Sequence, residues 1–269
     1  MNYQTLCLQA CDIIKEVGAY VRTAGKNLTW NQIETKGTND FVTEIDKGAE
    51  KRLVTALSEL LPEAGFIAEE QTSTKRGDIF NWIIDPIDGT TNFIHGLPPH
   101  AISVALQQAN ELVIGIVYEI SRDECFYTWK GGKSYCNNHE IHVSDVQTVD
   151  KALIITGFPY NDYSRMEAFE KTMNYFMKHS HGLRRLGSAA TDLSYVACGR
   201  ADAFYEYALK PWDVAAGAII LQNAGGEVMN FSGNADCVFS GELISCNGNL
   251  KAELLAIIQP IMNSKQVDE

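Results

Sequence analysis

The chain has 269 residues, 45% hydrophobic and 21% charged, a composition that excludes a disordered polymer and supports a large core. Its 34 acidic residues outnumber 22 basic ones, for a formal charge of −12, which argues against a nucleic-acid-binding surface because that requires basic clusters. The seven cysteines are odd in number and form no C-x-x-C pair, and no histidine follows Cys7 and Cys11 at zinc spacing, so free thiols in a reducing compartment are expected. No basic-then-apolar leader is visible, and no apolar run approaches the ~18 residues of a membrane span, so a soluble, cytoplasmic protein without membrane contact is expected.

In chain order, Leu6, Ala10, Ile13, Ile14, Val17 and Val21 recur at helical spacing and predict an amphipathic helix that stops at Gly25. The polar stretch Lys36-Gly37-Thr38-Asn39-Asp40 predicts a loop or hairpin tip. Thr43-x-x-Asp46 has the form of a capping box, and Ala49, Leu53, Leu57 and Leu60 carry a second helix to Pro62. Gly65-Phe66-Ile67-Ala68 reads as a short strand ending in Glu69-Glu70, followed by a polar, mobile-looking segment over 71–78. A buried strand over 80–84 delivers Asp85, and strands at 101–106, 112–118 and 125–129, separated by turn signals, predict an antiparallel meander.

Near residue 148 the pattern changes to strands (153–156, 183–186, 203–205, 227–229, 243–245) alternating with helices (164–178, 188–198, 211–224, 249–262). Alternation of this kind predicts an α/β layer, and two packed parts, 1–147 and 148–269, are expected.

The chemistry centres on Asp85-Pro86-Ile87-Asp88-Gly89-Thr90-Thr91-Asn92-Phe93. Two carboxylates leave a buried strand with a proline between them, and Gly-Thr-Thr then turns the chain into a short helix whose free N–H groups face the same volume. Carboxylates repel an anion unless hard cations sit between them, so the combination points to a metal-assisted phosphate site. An isolated D-P-x-D reads as a pair of turn acids, but the whole nine-residue string fits one mechanism.

Glu69 ends a neighbouring strand, and two strands of one sheet ending in acids can bring three carboxylates to one edge. Asp213 follows Pro211-Trp212 at a helix start, as a cap or as a rigidly held ligand, and the small residues Ala215-Ala216-Gly217-Ala218 permit close packing of that helix. Gly187-Ser188-Ala189-Ala190 opens a helix either as an anion site or as a serine cap. Asp46 serves a capping box or a site, and Lys36 is a solvated loop lysine or a site residue. No Ser-His-Asp or Cys-His arrangement is present at a recognisable spacing.

Glu69-Glu70, Asp85–Phe93 and Trp212-Asp213-Val214-Ala215-Ala216-Gly217 together resemble the inositol monophosphatase family of metal-dependent, lithium-sensitive phosphatases. The order and separation of the blocks fit as well as their letters, and Gly187–Ala190, Ala201–Glu206 and Gly225-Gly226 add to the likeness. Ala68 and Asn223 depart from the family pattern at positions that are not ligands.

The resemblance implies a layered αβαβα sandwich and a homodimer. It implies two or three Mg²⁺ held by Glu69, Asp85, the Ile87 carbonyl, Asp88 and Asp213. Glu69 and Thr90, the latter supported by Asp46, would orient the attacking water, with Lys36 near the outer metal and phosphate. Phosphate would sit on the N–H groups of Gly89 and Thr90, beside Asp88 and Asp213, while Glu206 and Gly187–Ser188–Ala189 would face the alcohol. The implied reaction is hydrolysis of a small phosphate monoester, myo-inositol 1-phosphate first, by direct water attack without a phosphoenzyme. Fructose bisphosphate, with Arg184 and Arg185 as candidate contacts for a second phosphate, 3′-phosphoadenosine 5′-phosphate and histidinol phosphate are the rival substrates. A non-enzymatic alternative is a regulatory partner of RNA-processing or transcription machinery, reached through another protein.

Overall fold

The computed structural model describes residues 1–28, 33–37, 40–160 and 162–263, with the side chains of residues 33, 35–37 and 40–42 outside the description. Helix α1 (Tyr3–Gly25) starts where the Asn2 side chain accepts the Thr5 N–H at 3.1 Å, and its apolar stripe is buried from Leu6 to Val21. Strands β1 (Ile33–Gly37) and β2 (Asp40–Thr43) pair as an antiparallel hairpin. Thr43 then caps α2 (Glu44–Leu60). Its hydroxyl accepts the Ile45 and Asp46 N–H groups, and Asp46 Oδ2 accepts the Thr43 N–H at 2.9 Å, completing the expected capping box.

The large sheet has seven strands in the order β3 (Gly65–Ala68), β4 (Phe80–Asp88), β5 (Ala101–Gln108), β6 (Glu111–Glu119), β7 (Glu124–Trp129), β8 (Tyr135–Cys136) and β9 (His139–Glu140). From β4 onward it is the expected antiparallel meander, extended by the two short strands after the Gly131-Gly132 turn. β3 alone runs parallel to its neighbour β4. The five-residue helix α3 (Thr90–Ile94) follows β4 directly.

A five-stranded sheet is built from β10 (Leu153–Thr156), β11 (Gly182–Arg184), β12 (Ala203–Tyr207), β13 (Gly226–Met229) and β14 (Glu242–Asn247), in the order β11-β10-β12-β14-β13. It is mixed: β10 is parallel to both neighbours, whereas β14 is antiparallel to β12 and β13. Interleaved are α4 (Met166–His179), α5 (Ala189–Ala197), α6 (Pro211–Asn223) and α7 (Lys251–Met262).

Three apolar clusters glue five layers together. Side chains alternate across a strand, so Trp82 and Ile84 of β4 pack under α1 and α2 while Ile83 faces the opposite side. That opposite side meets α5 and α6, whose other flank receives Phe204 and Leu243 of the small sheet. The outer face of the small sheet, with Ile154, Tyr205 and Ile244, is covered by α4 and α7. The arrangement is the expected αβαβα sandwich.

The middle layer is thin because its contacts are small. A Cβ on Gly115 of β6 would lie 2.6 Å from the Ala216 carbonyl of α6, and one on Gly217 would lie 2.5 Å from Cβ of Leu193 on α5. Helix α6 is therefore locked between β6 and α5. All seven cysteines are free, as expected, and no helix among the described residues is long and apolar enough to cross a membrane.

Candidate active site

The expectation that β4 ends before Asp85 is corrected. The strand runs on through Asp88, with an irregularity between the two acids. Asp85 pairs with Ser103 and Asp88 with Ala101, so three steps along β4 match two along β5. In a regular strand residues three apart face opposite sides; the extra residue brings both carboxylates to the same side. Pro86, which has no N–H to give the ladder, lies inside this bulge. Asp85 Oδ1 accepts the Ile87 N–H at 2.9 Å, which fixes its rotamer.

Because β3 and β4 are parallel, their C-terminal ends lie together. The Glu69 N–H donates to the Ile84 carbonyl at 3.2 Å, placing Glu69 beside Asp85. Asp213 arrives from the middle layer at the third position of α6. Its Oδ2 accepts the Lys210 N–H at 2.7 Å, and the Trp212 carbonyl beside it accepts the Ser103 hydroxyl at 2.9 Å. Ser103 is the cross-strand partner of Asp85, so one residue of β5 registers both acids. Carboxylate oxygens of Asp85, Asp88 and Asp213 all lie within 4.8 Å of one another.

Asp88 Oδ2 accepts both the Ser188 hydroxyl and the Ala190 N–H at 2.7 Å. Ser188 is at the same time the N-cap of α5, accepting the Thr191 N–H, as the serine-cap reading expects. Gly89 sits at φ +91° between these segments, and a Cβ there would approach the Gly187 carbonyl to 2.9 Å. Asn92 ties the same segments by donating to the carbonyls of Pro99 and Leu186, each at 2.8 Å.

The electrostatics follow from crowding acids out of water. Burial pushes Asp85 well above the usual carboxylate range, and the charges of Glu69, Asp88 and Asp213 push in the same direction. Burial raises Asp88 to about 6 against the opposing pull of Ser188, the Ala190 and Ala189 N–H groups and Arg185. Asp213 rises to about 7, through burial and then the charge of Asp88. Among the described residues no salt bridge reaches any of the three. Clustered, largely buried, hard oxygen donors without a salt bridge among the described residues match the ligand set of a divalent cation such as Mg²⁺.

Thr90 opens α3. Its hydroxyl donates to the Ile87 carbonyl at 2.9 Å, with Asp46 Oδ1 at 3.4 Å. The Asp46 carboxylate thus divides its oxygens between the helix cap and Thr90. The expectation for Lys36 concerns a side chain outside the described ones.

A cavity of about 310 Å³ opens over the acids, bordered by Glu69, Thr90, Gly187, Ser188, Ala189 and Glu206. Glu206 reaches it because its neighbours Tyr205 and Tyr207 face outward, leaving Glu206 on the side of the middle layer. Burial drives Glu206 well above its ordinary pKa, assisted by Asp213 and Asp88. Gly157 makes room for it: a Cβ there would lie 2.0 Å from the Glu206 carboxylate. Of the two candidate arginines, Arg185 borders the cavity, hydrogen-bonds Tyr160 and stacks near Phe158, whereas Arg184 is exposed and donates to the Leu183 carbonyl.

Residues without a signal in the sequence also take part. Glu50 on α2 is fully buried, and its two oxygens accept the N–H groups of Glu70 and Thr72, each at 2.7 Å. The segment expected to be mobile is tied further along by the Phe66 N–H on the Lys75 carbonyl at 2.8 Å and by Asn81, which brackets Gly77. Asp192 of α5 is buried without a partner for Oδ1; burial raises its pKa, as do the charges of Glu206 and Asp88.

The profile of the inositol monophosphatase family matches residues 2–263. The chain is 41% identical over 239 residues to a protein of Neisseria meningitidis serogroup B named putative Nus factor SuhB, covering 88% of this chain and 91% of that one. It is 35% identical over 235 residues to an inositol-1-monophosphatase of Mesorhizobium japonicum, covering 87% and 88% respectively. Among solved structures, the extragenic suppressor protein suhB of Bartonella henselae superposes with a TM-score of 0.87 at 32% identity, covering 96% of this chain and 99% of that one. An IMPase of Thermotoga maritima gives a TM-score of 0.85 at 34% identity, covering 93% and 95%.

Proposed function

Since this chain belongs to the inositol monophosphatase family, we propose that it is a Mg²⁺-dependent phosphatase of a small polyol phosphate, with myo-inositol 1-phosphate as first choice. The observation that supports it is the meeting of Asp85, Asp88 and Asp213 within 4.8 Å on the floor of a cavity of about 310 Å³, a volume suited to one small sugar-sized ligand.

In this reading Glu69, Asp85, the Ile87 carbonyl, Asp88 and Asp213 hold the cations. Bound there, Mg²⁺ supplies the charge that admits a phosphate among carboxylates, acidifies water and offsets charge on the departing oxygen. The N–H groups of Gly89 and Thr90, at the start of α3, hold the phosphate oxygens. Glu69 accepts one hydrogen of the attacking water, and Thr90, turned so that its own hydrogen goes to Asp46, accepts the other. The water oxygen bonds to phosphorus while the bond from phosphorus to the alcohol oxygen breaks. That electron pair stays on the alcohol oxygen, which takes up one proton from solvent for the one the attacking water gives up to Glu69, so the products are alcohol and inorganic phosphate. Among the described residues no cysteine or histidine borders the cavity, and Ser188, the serine there, is engaged as the cap of α5 and on Asp88, so in this reading the transfer is direct. Glu206, with Gly187–Ala189 opposite, orients the alcohol's hydroxyls. The protein works as a cytoplasmic homodimer in this reading, which light scattering at twice the chain mass checks.

The test is phosphate release from myo-inositol 1-phosphate, fructose 1,6-bisphosphate, 3′-phosphoadenosine 5′-phosphate and histidinol phosphate with Mg²⁺. Inositol phosphate is expected to be preferred, with activity abolished by EDTA and inhibited by lithium. A preference of orders of magnitude for a bisphosphate overturns the substrate assignment. A second reading, a binding partner of RNA-processing or transcription machinery, draws on the relatives named Nus factor SuhB. Absence of phosphate release from every monoester would leave that reading standing.

A further inference from the structure

Glu50 and Asp46 sit four residues apart on α2 and therefore on one face of it. The upper acid, Asp46, lies 3.4 Å from Thr90. One turn further on, Glu50 is fully buried, and each of its oxygens takes a backbone N–H of the turn that begins at Glu69. A buried carboxylate is costly unless its charge is met by hydrogen bonds, and here the N–H groups of Glu70 and Thr72 meet it at 2.7 Å each. The Glu69 N–H also donates to the Ile84 carbonyl of the sheet at 3.2 Å, so the clamp acts on the backbone just past this bond. After Thr72 the chain runs over the surface as an irregular segment.

We propose that Glu50 is a positioning residue for the metal site: it clamps the backbone immediately after Glu69 and so holds the Glu69 carboxylate toward Asp85. Helix α2 then steers both groups that face the attacking water, Thr90 through Asp46 and Glu69 through Glu50. The proposal rests on Glu69 being a cation ligand, as in the function proposed above. Partners of this kind behind a ligand change metal affinity by about 10–100-fold when removed. Glu50→Gln keeps the shape but turns an amide N–H₂ toward one of the two backbone donors, which breaks one arm of the clamp.

The experiment is titration calorimetry with Mg²⁺ on the wild type, Glu50→Gln, Glu69→Gln and the double variant, with circular dichroism as a check on folding. The expected result is that Glu50→Gln weakens Mg²⁺ binding at least tenfold and adds nothing in the Glu69→Gln background, because it acts through that residue. Unchanged affinity in Glu50→Gln, or losses that simply add, overturns the proposal while leaving the proposed function intact. A wild type that binds no Mg²⁺ overturns both. Should Glu50→Gln not fold, Thr72→Pro removes one clamping N–H on an exposed loop, and the same two outcomes decide.

Discussion

The Ser188 hydroxyl and the Asp88 carboxylate meet at 2.7 Å although a hundred residues separate them in the chain. Asp88 ends a strand of the large sheet, and Ser188 caps a helix of the middle layer, so their bond joins two layers at the floor of the cavity. The Ala190 N–H shares the same oxygen, which orients Asp88 by contacts within the chain.

Replacing Ser188 by Ala removes the cap of α5 and the side-chain donor to Asp88. A lost serine cap costs about 0.5–2 kcal/mol, to be read from the shift in urea midpoint. Affinity for Mg²⁺ is expected to fall by about tenfold, since Asp88 is then held by the backbone N–H groups of Ala190 and Ala189 without a side-chain donor. Ser188→Thr retains the hydroxyl and is expected to restore affinity; failure to do so would separate the capping effect from the orienting one.

The metal-free protein carries a pH signature of the acid cluster. Asp88 and Asp213 move from an ordinary 3.8 to about 6 and about 7 in the fold. Between 3.8 and those values the folded state binds more protons than the unfolded one, so the cluster's contribution to stability falls as pH rises and is fully lost above about 7. Thermal melts in EDTA should therefore show a loss of Tm between pH 5 and 7.5 that shrinks in Asp213→Asn. Saturating Mg²⁺ should reverse the loss, because the cation favours the ionised acids.

Asp85→Asn separates function from stability. Phosphatase activity is expected to fall by more than about 10³-fold if Asp85 joins the cations as proposed. Tm in EDTA at pH 8 is expected to rise, because a carboxylate whose ionised form is disfavoured by burial and by the charges of Glu69, Asp88 and Asp213 is replaced by a neutral amide. A lower Tm together with lost activity would make Asp85 a structural residue instead.

How much of this was legible in the sequence depends on the range of the signal. Asp85, Asp88 and Asp213 carry compact motifs, and helical spacing alone marked α1, α2 and their buried stripe. The bulge between Asp85 and Asp88 has no letter of its own: it follows from pairing with β5, a partner set by the whole sheet. Glu50 looks like any solvated helix acid, since its burial depends on a turn twenty residues downstream. Arg184 and Arg185 are adjacent and chemically alike, and only the end of β11 decides that Arg185 borders the cavity. Local chemistry was readable from the residues themselves, whereas contacts made by two distant segments were not, except where the family resemblance supplied them, as for Asp213 with Asp85 and Asp88.

Gly115→Ala tests the coupling between the thin middle layer and the site. The added methyl would lie 2.4 Å from Ile219 Cγ2 and 2.6 Å from the Ala216 carbonyl, so α6 itself has to move. Overpacking of this kind costs about 1–3 kcal/mol, measurable by urea denaturation. Since α6 carries Asp213, kcat at saturating Mg²⁺ should fall as well. Stability lost with full activity retained would show that Asp213 is held by the Lys210 N–H and not by helix packing.

Gly157→Ala probes the alcohol end of the cavity without touching the acid cluster. Its Cβ would overlap the Glu206 carboxylate, 2.0 Å from three of its atoms, and Glu206 has to leave its present rotamer. In the proposed function Glu206 holds hydroxyls of the leaving alcohol, so KM for myo-inositol 1-phosphate should rise about tenfold, equal to about 1.4 kcal/mol of binding. A monoester whose alcohol has no hydroxyls, such as phenyl phosphate, should show little change in KM. Equal losses on both substrates would mean that Gly157 supports the site as a whole and that Glu206 does not read the alcohol. A selective loss on the polyol would tie substrate choice to a glycine on one strand's end making room for an acid on the next.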